Sequence, residues 1–254
     1  MTLIEGALTQ LPEGMRRTLR GYLADVGRLF GQEVEAVLLY GSAARGEHLP
    51  GRSNINILVI LKDLKVEHLR RYAAVHRRWK NDGIVVPLFL AIGELSASAG
   101  RFPLEWLDIQ ESHILLAGRD PLVELKVDNG RLRQACEQEI SGNLLRLRQR
   151  FVEGDADGEA VVLLVSLSLT ALLPCLRGLL RLSGRPAPKS SEDLLRALQP
   201  AMGIDGSVLL EALSLKRGLI TPGAQEIPRL FERYLGGLQT LLERIERLKA
   251  EGRL

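Results

Sequence analysis

A chain of 254 residues and 28.1 kDa, 46% hydrophobic and 26% charged, has the composition of one large or two modest globular domains, and its 25 Gly and 11 Pro follow no collagen-like or low-complexity period. Aromatic residues make up only 4%, too few for the stacking platforms of single-strand nucleic-acid binders, and a net charge of +3 is too small to indicate DNA. Two cysteines, Cys136 and Cys175, form no disulfide framework, and the start carries no basic segment followed by an apolar run, so a reduced, cytoplasmic protein without an export signal is expected.

Residues 11–30 read as an amphipathic helix, with Pro12 in its first turn and Met15, Leu19, Leu23, Val26 and Phe30 spaced three or four apart. The period then changes. Residues 34–40 are a strand stopped by Gly41 and Ser42, and 54–61 a second strand. Residues 65–81 form a helix whose basic run from Arg70 to Lys80 reads as a solvated face. Residues 84–91, apolar throughout, are a third strand and 113–118 a fourth. Strands separated by helices imply a mixed or parallel sheet covered by helices.

Beyond residue 125 the strand signal ends, and 129–152, 158–182, 190–199, 206–217 and 225–250 read as helices, with Ser190 or Ser191 capping the third. The expected architecture is α+β: a mixed-sheet domain with flanking helices over 1–125, then an all-helical bundle over 126–254. From Ala160 to Leu176 there are 17 residues without a charge, the lower edge of a membrane span. Three Ser/Thr, Pro174 and the acidic run before it favour a buried central helix instead. The last helix carries a wide stripe from Leu230 to Leu248, suited to the core of its own domain or to a homodimer through the C-terminal helices.

Chemistry concentrates at Tyr40-Gly41-Ser42-Ala43-Ala44-Arg45-Gly46 and the strand Asn54-Ile55-Asn56-Ile57. A strand ending in Gly-Ser at the start of a short helix turns tightly, exposes backbone N–H groups and adds a hydroxyl, all suited to phosphate oxygens. Strand alternation puts Asn54 and Asn56 on one face beside that turn and Ile55, Ile57, Val59 and Leu61 on the other.

This pattern resembles the nucleotidyltransferase superfamily, which includes aminoglycoside nucleotidyltransferases and polymerase-beta-like enzymes. Its motif is a hydrophobic strand, Gly-Ser, roughly ten residues, then Asp-x-Asp. Here 11 residues separate Ser42 from Asn54, and the frequent Ala-Arg-Gly stands at 44–46. The resemblance covers about 30–118 and assigns the two aspartates to magnesium ions bridging the nucleotide phosphates. Asn54 and Asn56 stand in their places. Magnesium is a hard cation held through carboxylates and phosphates, and a neutral amide oxygen supplies no compensating charge. A third carboxylate is expected within 84–91, where there is none; Asp82 and Glu94 only flank the run. Two deliberate Asp→Asn exchanges would have kept that third acid, so natural loss of activity is expected.

Other candidates fail. His48, His68, His76 and His113 show no metal spacing, and Ser166 and Ser168 have no nucleophile elbow. The sequence therefore reads as a degenerate, catalytically inactive nucleotidyltransferase-like protein that binds a nucleotide or small-molecule ligand through Gly41, Ser42 and Arg45, or serves as an interaction module. No cofactor or metal, no DNA and no membrane are expected. The alternatives are an active transferase moving NMP from an NTP to a small-molecule or protein hydroxyl with Mg²⁺, and a structural homodimer.

Overall fold

The computed structural model describes residues 4–49, 51, 53–154 and 158–254; the start 1–3, Arg52 of the motif and 155–157 of the acidic run lie outside them. The chain forms two compact units. One comprises the residues up to Phe102 together with Asp108–Lys126, the other Pro103–Leu107 with Val127–Leu254.

The first unit contains α1 (Glu5–Leu8), α2 (Glu13–Phe30), β1 (Val34–Tyr40), β2 (Asn56–Leu61), α3 (Val66–Asn81), β3 (Leu88–Ala91), α4 (Leu95–Arg101) and β4 (His113–Gly118), with the last residues of α5 (Pro103–Glu111). Its four-stranded sheet has the order β3-β2-β1-β4, antiparallel at β2/β1 and β1/β4 and parallel at β2/β3. The sheet is thus mixed, as expected. Alternation along β2 holds: Ile55, Ile57, Val59 and Leu61 pack in one cluster with Leu19, Leu23, Val26 and Phe30 of α2. Each such fully buried side chain is worth about 1.5–3 kcal/mol relative to exposure. Polar anchors fix α2 against α3. Trp79 Nε1 donates to Asp25 Oδ2 at 3.1 Å, and Tyr22 meets the rings of Tyr72 and Trp79 edge-on. Burial pushes the Tyr72 phenol up to about 12. The basic run of α3 has two sides: Arg70, Arg77 and Lys80 are exposed, while Tyr72 and Trp79 are buried.

Three expectations need correction. The third strand is only Leu88–Ala91; Ile84 makes an isolated parallel bridge to Ile55, and Pro87, which lacks an N–H, interrupts the ladder between them. Asn54 precedes β2, which begins at Asn56. Helices α4 and α5 fill a stretch where none was read; both are short, and α5 starts with Pro103 at its first position.

The second unit holds α6 (Asn129–Glu153), α7 (Gly158–Leu182), α8 (Ser191–Leu198), a π turn (Gln199–Gly203), α9 (Ser207–Arg217) and α10 (Ile227–Ala250). Ser190 caps α8, its Oγ accepting from Asp193 N. Among the described residues α7 is the helix long and apolar enough to cross a membrane, yet it sits at the centre of this unit. Its Val165, Leu169, Leu172, Leu176 and Leu179 are fully buried, and the Ser168 hydroxyl donates to Asn143 Oδ1 at 2.5 Å and lies 3.0 Å from the Tyr234 hydroxyl. The apolar stripe of α10, Leu230, Phe231, Tyr234, Leu238, Leu241, Ile245 and Leu248, is buried in the same core. Leu235 and Leu242, on the same helix, are partly buried against it. Cys136 and Cys175 are free thiols buried between α6 and α7.

Candidate functional site

β1 delivers Tyr40 to the end of the sheet, where it is paired with Asn56 on one side and His113 on the other. Directly opposite residues share a face, so Asn56, Tyr40 and His113 form one polar row. The chain then turns at Gly41, whose φ is +76°, and a Cβ there would lie 2.7 Å from Asn56 Nδ2. Only glycine fits both constraints.

Residues 41–46 form a turn rather than the expected short helix. Arg45 N donates to Gly41 O at 3.2 Å and Glu47 N to Ser42 O at 2.9 Å, and Gly46 at φ +76° ends the winding after one turn. Among the described residues, the N–H groups of Ser42, Ala43 and Ala44 donate to no backbone acceptor. Successive unpaired N–H groups of this kind make a concave anion receptor. Thus the turn and the row containing Asn56 stand together, with Asn54 exposed beside them.

Arg45 turns away from a purely solvent role. Its Nη1 donates to both carboxylate oxygens of Asp108, at 3.2 and 3.1 Å, its Nε lies 3.8 Å from Glu47, and its side chain is 9% exposed. Asp108, on α5, is the carboxylate that sequence reasoning missed. No local pattern announces a partner 63 positions away. Burial raises the pKa of the Tyr40 phenol, and the charge of Asp108 raises it further. His113 is committed as well: one ring nitrogen faces Asp120 Oδ2 at 2.9 Å, the other Ile109 O at 2.9 Å. Of the two acids flanking the third strand, Glu94 accepts from Ala91 N at 2.9 Å and Asp82 is exposed at the end of α3.

These donors do not fit a pair of magnesium ions. The side chains beside the turn on β2 are amides, the nearby carboxylates Asp108 and Glu47 face a guanidinium, and no group of three or more His, Cys, Asp or Glu among the described residues could hold a metal. The Arg45–Asp108 pair is instead a support for the turn. Asp108→Ala should cost about 3 kcal/mol in urea unfolding because it strands a largely buried guanidinium. Asp108→Asn, which keeps an acceptor, should cost less.

A mixed sheet whose central strand ends in a Gly-Ser turn, with side chains of the next strand beside it, is the arrangement of the nucleotidyltransferase fold. Residues 19–94 match the nucleotidyltransferase domain family, and this part of the chain is a domain of that superfamily. Across 91% of this chain and 98% of the other, the structure resembles the spectinomycin adenyltransferase of Enterococcus faecialis, solved with ATP and spectinomycin, with a TM-score of 0.56 and 10% identity. At that identity the likeness is one of fold. No curated protein is significantly similar in sequence.

Proposed function

We propose that the first unit binds a nucleotide and has lost the ability to transfer it. The observation that carries this reading is the pair Asn54 and Asn56 beside the Gly41-Ser42 turn, with Asp108 already engaged by Arg45. Phosphate oxygens would meet the N–H groups of the turn, the Ser42 hydroxyl and Arg45, and a metal would contribute little. Without the charge stabilisation a divalent ion gives the transferring phosphoryl group, the chemical step has no evident source of catalysis. The buried, unbridged thiols Cys136 and Cys175 suit a cytoplasmic protein.

Calorimetric titration with ATP, GTP, CTP and UTP, with and without Mg²⁺, tests the binding half. Measurable affinity that changes little on adding metal is expected. Incubation with labelled nucleotide tests the chemical half, with no label transfer and no pyrophosphate release expected. The second reading is an active transferase acting on a small hydroxylated acceptor. It draws on the adenyltransferase likeness and on Asp108 and Glu47 lying near the turn. Pyrophosphate release by the unaltered protein would establish it and end the first.

A further inference from the structure

We infer that Asn54 and Asn56 are phosphate-binding residues in their own right, donating amide hydrogens directly to an unmetallated phosphate. This rests on the nucleotide-binding reading above and names how its phosphate is held. A carboxylate next to a phosphate repels it unless a cation lies between; a carboxamide carries no charge and brings two N–H donors. Replacing acid by amide at a phosphate site therefore removes the need for the ion along with the means of holding it.

The surroundings of the turn agree with that chemistry. Asn56 Nδ2 is the side-chain atom closest over Gly41, and among the described residues the Asn56 carboxamide makes no hydrogen bond within the protein. Asn54, two residues earlier, is exposed and, among the described residues, equally uncommitted. Among the described residues the Ser42 hydroxyl has no partner and three successive backbone N–H groups lack backbone acceptors. Arg45 is held through Nη1 by Asp108, and its buried Nε, 3.8 Å from Glu47, makes no hydrogen bond among the described residues. The two acids nearby, Asp108 and Glu47, lie against Arg45. Donors from Asn54, Asn56 and the turn are thus the groups left to meet a ligand, and the ligand they suit is a polyphosphate chain without its metal.

The test is calorimetry on the full chain in EDTA and then in Mg²⁺, using ATP, tripolyphosphate and adenosine as probes. The unaltered protein should bind ATP and tripolyphosphate in EDTA and adenosine in neither buffer. Asn56→Asp, which keeps the shape and adds a charge, should weaken ATP in EDTA on the order of tenfold, and Mg²⁺ should restore most of the loss. Asn56→Ala should weaken it by about fivefold with no recovery in Mg²⁺. Asn54→Asp should move in the same direction as Asn56→Asp, and because residue 54 is exposed it keeps the test open if a change at 56 lowers the melting temperature. Two results overturn the inference while leaving nucleotide binding intact: ATP binding to the unaltered protein that vanishes in EDTA, or both Asp variants matching it there. Failure of ATP to bind in either buffer removes both readings, whereas tripolyphosphate and ATP binding alike shows that the phosphates alone are recognised.

Discussion

Gly118→Ala should unfold the first unit outright, with an expected loss of more than about 4 kcal/mol. Gly118 ends β4 with φ +82°, opposite Ala36 of β1, and a Cβ there would lie 1.9 Å from Glu35 O and 2.8 Å from Glu35 C. Both are backbone atoms inside the sheet, held further by Arg119 N donating to Glu35 O at 3.2 Å, so no side chain can swing aside. The clash and the left-handed conformation act together, and Gly118→Asn, which tolerates the φ alone, should fail too. Gly184, at φ +74° with nothing within 4 Å of its would-be Cβ, is the control: Asn there should cost under about 1 kcal/mol. Far-UV circular dichroism and amide exchange of β1 and β4 read the result, and a folded Gly118→Ala protein would show that the two strands can re-register.

The second large effect belongs to Arg177. It is 1% exposed within the core of the second unit and donates from Nη2 to Lys189 O at 3.0 Å and from Nη1 to Pro188 O. The guanidinium thereby satisfies carbonyls of the loop that leads into α8. Arg177→Ala removes a fully buried side chain, leaves a cavity and strips two loop carbonyls of these donors, for an expected loss of about 3–5 kcal/mol. Arg177→Lys should recover little, since one ammonium cannot reproduce a planar fork reaching two successive carbonyls. Thermal melts measure the loss, and cleavage of residues 183–190 by a nonspecific protease should quicken in the same order.

What could be read from the sequence was what depends on neighbours in the chain. Alternation in Asn54-Ile55-Asn56-Ile57 placed the asparagines and the core residues on opposite faces, and the three- or four-residue spacing of Met15 to Phe30 predicted a helix that the structure begins at Glu13. The Gly41-Ser42 turn was legible for the same reason. Three things were not. The extent of β3 depends on where Pro87 falls against its neighbour strand, a matter of register. The winding at 41–46 stops early because Gly46 adopts a positive φ, and a glycine does not advertise which sign it will take. Asp108 lies on a helix with little amphipathic pattern, and its bond to Arg45 exists only once the chain has folded.

The short β3 has a further meaning for how the protein behaves at high concentration. An outermost strand with open amides invites another chain to add to it, and the risk grows with its length. This one offers four residues, because Pro87 immediately before it breaks the ladder to β2. Val86 and Leu88, which are 65% and 39% exposed, would otherwise make a sticky ribbon. By ending the pairing with β2, a single imino acid keeps that ribbon short.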